Sequence, residues 1–167
     1  MPKNVAISEN DARVLRILQR DGRRSYADLG TELGMAGPSA HERVKKLESR
    51  GVIRGYRADL DPAVIGYPVL AFTWVTQAPG SAGFGLTPRL AEVPEIEECH
   101  GIAGEADYLL KIRARDMEHL GHVVHAIQAI EHVFTTETDV AFRTVFEHRS
   151  LPITPSVKPD GDTGRTG

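Results

Sequence analysis

Lys45, Lys46, Arg50 and Arg54 place four permanent cations within ten residues, and just ahead of them stand Ser39, His41, Glu42 and Arg43. That order of residue types suits a helix lying in the DNA major groove. Polar side chains near its start reach base edges, and basic ones farther along meet phosphate. His41 and Glu42 stay open between base readers and ordinary surface residues, and Glu42 repels phosphate unless it accepts from cytosine. A cationic run taken alone is more often a solvated helix face. What favours binding is the way this run is carried.

The carrier is the stretch from Ser25 to Ile53, SYADLGTELGMAGPSAHERVKKLESRGVI. Ala40, Val44 and Leu47 fall at i, i+4 and i+7, one face of a helix, while Glu42, Lys45, Lys46 and Ser49 point away. Leu29 and Leu33 give the preceding helix a matching apolar face, Ser25 with Asp28 makes a capping-box-like start, and Gly34 suits a left-handed turn at its end. Earlier still, Ser8 caps a first helix with Asp11 three residues on; Val14, Leu15 and Leu18 form its inner face and Gly22 ends it. The spacing therefore predicts a trihelical unit containing a helix-turn-helix. So small a unit buries little surface and must lean on the rest of the chain or on another subunit.

Charge separates this unit from the remainder of the chain. Residues 1–60 hold twelve Lys or Arg against eight Asp or Glu, whereas residues 61–150 hold six against thirteen. The overall net charge of −3 conceals a basic end suited to phosphate. Cys99, the single cysteine, excludes an intramolecular disulfide. No apolar run approaches the roughly 20 residues of a membrane span, and Met1 to Asn10 does not resemble a signal peptide, so the expectation is a soluble cytoplasmic protein.

From Gly66 the period changes from helical to extended. Tyr67–Thr76, YPVLAFTWVT, reads as a strand with Val69, Ala71 and Val75 on one face and Leu70, Phe72 and Trp74 on the other. Both faces are apolar, which implies helices against one and another subunit against the other. Further strands are expected over Ile96–Ile102, Tyr108–Ala114 and Val133–Phe146. Asp116 caps a helix whose Met117, Leu120, Val123, Val124 and Ile127 share a face. Leu86–Val93 should be helical, but Pro88 is tolerated only in a first turn, so that helix is short or begins late. The order is β-α-β-β-α-β, the split pattern of a ferredoxin-like sandwich, in an α+β chain. QAPGSAGFG marks a mobile loop, and the segment after Ser150 is expected to be disordered.

His119, His122 and His125 raise a metal hypothesis. His122 and His125 lie opposite the apolar stripe, and no carboxylate or cysteine on that face completes a tetrahedral set, so no metal is expected. Cys99, alone in a strand, reads as a small buried hydrophobe. No phosphate loop, catalytic triad spacing or metalloprotease motif is present, and no catalytic residue or cofactor is assigned.

The order of helix-turn-helix, then GVIRGYRADLDPAVIGYPVLAF, then GIAGEADYLLKIRARD, then TTETDVAFRTV resembles the leucine-responsive and asparagine-responsive (Lrp/AsnC) transcriptional regulators from Ile7 to Glu147. The resemblance implies a winged-type helix-turn-helix DNA-binding domain over residues 1–51 and a linker over 52–65 with a strand near Val52–Ala58. It also implies a ferredoxin-like βαββαβ (RAM) effector and oligomerisation domain over 66–148, with a disordered tail over 149–167. It further implies a homodimer or larger assembly, such as a tetramer or octamer, acting on double-stranded DNA under a small amino-acid effector, with no membrane association and no enzymatic activity. The chain departs from the family where the recognition helix begins. A Ser or Thr cap is usual there, whereas this chain has Met35-Ala36-Gly37-Pro38, in which Gly caps weakly and Pro38 suits the first helical position. Gly104-Glu105-Ala106-Asp107 resembles the family's Gly-x-x-Asp turn: the Asp107 carboxylate would pair with an ammonium, and backbone N–H groups with the Thr136 and Thr138 hydroxyls would take a carboxylate. The other reading is that Asp107 caps its own turn and the threonines merely suit a strand. Two other functions share this architecture: a sirohaem decarboxylase, and an architectural DNA-binding protein without an effector.

Overall fold

Ser8 sets the first element in place. Its hydroxyl accepts from the Asp11 N–H at 3.1 Å while the Asp11 carboxylate accepts from the Ser8 N–H at 3.2 Å, the reciprocal cap expected from their spacing. Helix α1 (Glu9–Arg20) begins there and ends at Asp21, one residue ahead of Gly22. Helix α2 (Tyr26–Leu33) is capped by Ser25 and closed by Gly34 at φ 69°, a left-handed conformation that glycine adopts without strain. Helix α3 (Gly37–Ser49) is capped by Ala36, which offers no side-chain acceptor. Pro38 therefore occupies the second helical position rather than the first. Gly37 makes this possible, because a residue without Cβ tolerates helical geometry ahead of proline.

The computed structural model of the chain describes residues 5–81 and 85–156. It divides into one unit of residues 1–58 with 146–167 and a second of residues 59–145. In the first, Val14, Leu29, Leu33, Ala40, Val44 and Leu47 form the core, flanked by Leu15, Ile17, Leu18, Met35, Val52 and Ile53. Residues 150–156, expected within a disordered tail, run along α1. Arg16 donates to the Ile153 carbonyl at 2.8 Å and the Ser156 N–H donates to the Ile7 carbonyl at 2.9 Å. Their composition betrays the lack of a core of their own, but α1 lends them one face; residues 157–167 lie outside the described residues.

No strand forms near Val52–Ala58, and so no wing is seen. A strand needs a neighbour to take its N–H and C=O groups. Here the Val52 and Ile53 N–H groups donate to the Leu47 carbonyl at the end of α3, at 2.9 and 3.2 Å, and among the described residues no strand lies alongside the segment.

The second unit contains β1 (Val69–Gln77), α4 (Leu86–Leu90), β2 (Ile96–Gly101), β3 (Tyr108–Ala114), α5 (Met117–Gln128) and β4 (Val133–Val140). The strands form one antiparallel sheet in the order β2-β3-β1-β4, the ferredoxin-like arrangement expected. Ala71, Val75, Leu110, Ile112 and Ala114 pack with Leu86, Leu90, Leu120, Val123 and Ile127 of the two helices. Met117, expected on that face, is exposed because it opens α5 beyond the core. Pro88 sits third in the short α4, inside its first turn. The expected mobile loop over 77–85 is only partly described, since residues 82–84 lie outside the described set.

β4 is shorter than the expected Val133–Phe146. The last bond to its neighbour runs from the Ala141 N–H to the Leu70 carbonyl at 2.9 Å, and β1 begins only one residue before that point. Beyond it nothing remains to pair with. On the face of the sheet away from α4 and α5, Leu70 is buried while Phe72 and Trp74 are half-buried. Phe72 stands between Lys111 and Asp139, and Trp74 between Leu109 and Glu137. Among the described residues no helix is long and apolar enough to cross a membrane.

Candidate nucleic-acid interface and effector turn

Once Ala40, Val44 and Leu47 are buried, helical geometry decides what α3 turns outward. Ser39, Glu42, Lys45, Lys46 and Ser49 are all exposed, and together with Pro38, Arg43 and Glu48 they border a shallow open groove. Four of the eight candidates thus share one accessible face. The other four are placed differently.

Arg43 turns inward and donates to the Asp11 carboxylate at 2.7 Å, while Arg50 lies 3.8 Å from the other Asp11 oxygen and donates to the Ala6 carbonyl. These two arginines fasten the C-terminal half of α3 to α1 and the residues ahead of it. His41 is half-buried with its ring 4.4 Å from that of Tyr26. Arg54 lies past the helix, exposed in an irregular segment.

Two residues that organise this site were missed by sequence reasoning. Asp11 reads locally as a cap, yet it also lies three residues before Val14 and four before Leu15, on the apolar stripe itself. A carboxylate on an inner face must find a cation across it, and that was the available signal. Burial opposes the Asp11 charge, but hydrogen bonds from Arg43 and from the Ser8 hydroxyl and N–H outweigh it and hold the carboxyl below its ordinary value of 3.8. Because the native value is the lower one, the stabilisation is complete above pH 3.8 and is lost as pH falls through the native value. Asp11→Asn is expected to destabilise the three-helix unit by about 1–3 kcal/mol at neutral pH, less than a fully buried pair because both arginines are partly solvated. The variant should also show a flatter acid-unfolding curve by circular dichroism; a wild-type acid dependence would remove Asp11 from this role.

Gly30 is the second. A Cβ added there would stand 2.7 Å from the Met35 carbonyl oxygen, 3.0 Å from the Gly37 nitrogen and 3.1 Å from the Ala36 carbonyl carbon, all of them backbone. A glycine inside an eight-residue helix costs helical stability, so its presence there signals such a close approach.

At the effector turn, Asp107 serves the neighbouring strand. Its carboxylate accepts from the Gln77 N–H at 2.7 Å, its own N–H donates to the Val75 carbonyl and its carbonyl accepts from the Ile102 N–H, each at 3.0 Å. Gly104 is exposed, with open space where a Cβ would be. The Thr138 hydroxyl lies 2.9 Å from that of Thr73, and the Thr136 hydroxyl accepts from the Gln128 amide at 2.7 Å. Val75 has Tyr108 on one side and Thr136 on the other, so β1 separates Asp107 from the threonines by two strand spacings, about 10 Å. Within one chain these residues do not converge on a common space.

His119 lies 3.2 Å from Glu95, and its Nδ1 accepts from the Arg115 backbone and side chain, each at 3.2 Å. His122 and His125 are exposed, and among the described residues no three His, Cys, Asp or Glu are grouped to hold a metal. Cys99 is exposed rather than buried, because β2 is an edge strand; what burial it has pushes its thiol pKa up, away from reactivity.

Comparison with known proteins matches both units. Residues 7–48 fit the AsnC-type helix-turn-helix domain and residues 71–151 the Lrp/AsnC ligand binding domain. The HTH-type transcriptional regulator FL11 of Pyrococcus horikoshii is 34% identical over 89% of this chain and 98% of its own length. The leucine-responsive regulatory protein of Rhizobium meliloti is 34% identical over 87% of this chain and 95% of its own. Among solved structures, the feast or famine regulatory protein of M. tuberculosis complexed with L-methionine superposes with a TM-score of 0.83 at 30% identity, covering 87% of this chain and 98% of that one. These likenesses span both units in one order, and the chain belongs to the Lrp/AsnC family.

Proposed function

We propose that the chain is a cytoplasmic transcriptional regulator that binds double-stranded DNA through α3 as a homo-oligomer and answers to a small amino acid. The observation that carries this reading is the exposed face of Ser39, Glu42, Lys45 and Lys46 on a helix whose opposite side is fully buried. Relatives matched over nearly their whole length are named HTH-type transcriptional regulators or a leucine-responsive regulatory protein, and one structural neighbour is complexed with L-methionine. Those relatives favour regulation over the decarboxylase alternative. Oligomerisation is supported by the sheet face carrying Leu70, Phe72 and Trp74, where Phe72 and Trp74 stay half-buried and, among the described residues, α4 and α5 pack on the opposite side. We assign DNA reading to residues 1–51 and effector response and assembly to residues 66–148, with 52–65 between them.

We place the ligand at the turn of Gly104 and Asp107, with Thr136 and Thr138 supplied by another chain in the assembly. Since Asp107 also fixes the end of β1, a ligand that competes for its carboxylate acts directly on the sheet. Such a ligand shifts the protein only if it binds one subunit packing better than another.

The test is recovery of a preferred duplex from random-sequence DNA, then binding and light scattering across the free amino acids. A preferred duplex, affinity that falls steeply with salt, and a change in affinity or mass with at least one amino acid are expected. Asp107→Asn keeps an acceptor for the Gln77 N–H while removing the charge, and should abolish the amino-acid effect with DNA binding intact. No preferred sequence and a flat salt dependence would defeat the DNA reading; an unchanged response in Asp107→Asn would remove Asp107 from the ligand site.

A further inference from the structure

We infer that Tyr26 is a positioning residue for base reading: its ring holds His41 in the orientation from which the imidazole donates to a purine acceptor edge in the major groove. The inference rests on the proposal that α3 reads DNA. Tyr26 is the first residue of α2 and His41 the fifth of α3, so their pairing spans the turn between the two helices. The rings lie 4.4 Å apart at a tilt of 42°, a close contact at the short limit of favourable aromatic pairs. His41 precedes Lys45 by four residues and so shares its row on the helix surface, at the edge of the exposed face. Tyr26 is itself 41% exposed, so it braces His41 from the flank without covering it.

The physical consequence concerns what is frozen before binding. Lys45 and Lys46 are exposed on flexible stems and must be ordered when DNA arrives, at an entropic cost. His41, held by the tilted Tyr26 ring, has already lost that freedom. A preoriented donor discriminates among base edges, because guanine presents N7 and O6 acceptors and adenine N7 at fixed positions in the groove. Tyr26 therefore contributes to sequence preference more than to general attraction for the backbone. Its hydroxyl is not required for this.

A duplex recovered from random-sequence DNA by the full-length chain serves as the specific probe, and a scrambled duplex of the same length as the reference. Tyr26→Ala is expected to weaken binding to the recovered duplex about tenfold while leaving the scrambled one within about twofold, and Tyr26→Phe to rescue it. In a His41→Ala background, Tyr26→Ala should add nothing. Tyr26→Leu fills similar space without a ring and should behave as the alanine variant does, so the comparison survives should alanine loosen the turn. Equal losses on both duplexes, additive losses in the double variant, or a phenylalanine variant as weak as alanine would overturn the inference. A wild-type chain that recovers no preferred duplex overturns the DNA reading together with it, and is told apart because the preference is then missing before any substitution.

Discussion

Replacing Lys45 and Lys46 together by Ala is expected to reduce DNA affinity on the order of 10²–10³-fold near physiological salt in a dimer, where four phosphate contacts disappear. Fluorescence anisotropy across a salt series should show the slope of log affinity against log salt falling by roughly 0.9 per contact removed. Both lysines are exposed on the face of α3 opposite Ala40, Val44 and Leu47, and among the described residues neither has a carboxylate partner. Their removal should thus leave the melting temperature unchanged, as surface substitutions away from special features usually do. Arg43→Ala makes the informative contrast. Since its guanidinium binds Asp11, the expected loss is in stability first and in DNA affinity only as a consequence. A double lysine variant with an unaltered salt slope would mean that phosphate is met by some other part of the chain.

Gly30→Ala is the second large effect expected, and its sign runs against helix propensity. Alanine in a helix interior gains up to about 1 kcal/mol over glycine. Here, however, the new methyl would overlap the backbone at Met35, Ala36 and Gly37, and none of these atoms is the movable end of a side chain. The turn from α2 to α3 must open, at a cost typical of overpacking, about 1–3 kcal/mol or more. Because α3 carries the proposed DNA face, the same displacement should weaken DNA binding in the fraction that remains folded. Thermal unfolding together with anisotropy would show both losses; a variant more stable than the wild type would indicate that the turn gives way easily.

What the sequence revealed was mostly what neighbouring residues decide among themselves. The Ser8 and Asp11 cap, the Gly34 turn, the stripe of Ala40, Val44 and Leu47, and the strand Tyr108–Ala114 all depend on spacings of a few residues, and all were legible. What escaped was set across longer distances. Nothing near Arg43 announces that its partner lies 32 residues earlier, and the end of β4 is fixed by where β1 begins. The path of residues 150–156 along α1 was likewise invisible, because irregular segments advertise no period. Of the DNA-reading candidates, helical spacing put Lys45 and Lys46 on the exposed face of α3, whereas the pairing of Arg43 and Arg50 with Asp11 could not be read from their own neighbours. The effector residues were chosen by resemblance, and the spacing along one chain did not reveal that β1 stands between Asp107 and the two threonines.

The return of residues 150–156 to α1 has a bearing on biogenesis. The three helices leave the ribosome first, yet the segment that receives the Arg16 guanidinium and bonds Ile7 is synthesised after the whole intervening sheet. A nascent chain halted anywhere before Ile153 would expose α1 without its seam, so full maturation of the helical unit waits on translation of the distal segment. Any reporter spliced in ahead of residue 150 would impose the same delay.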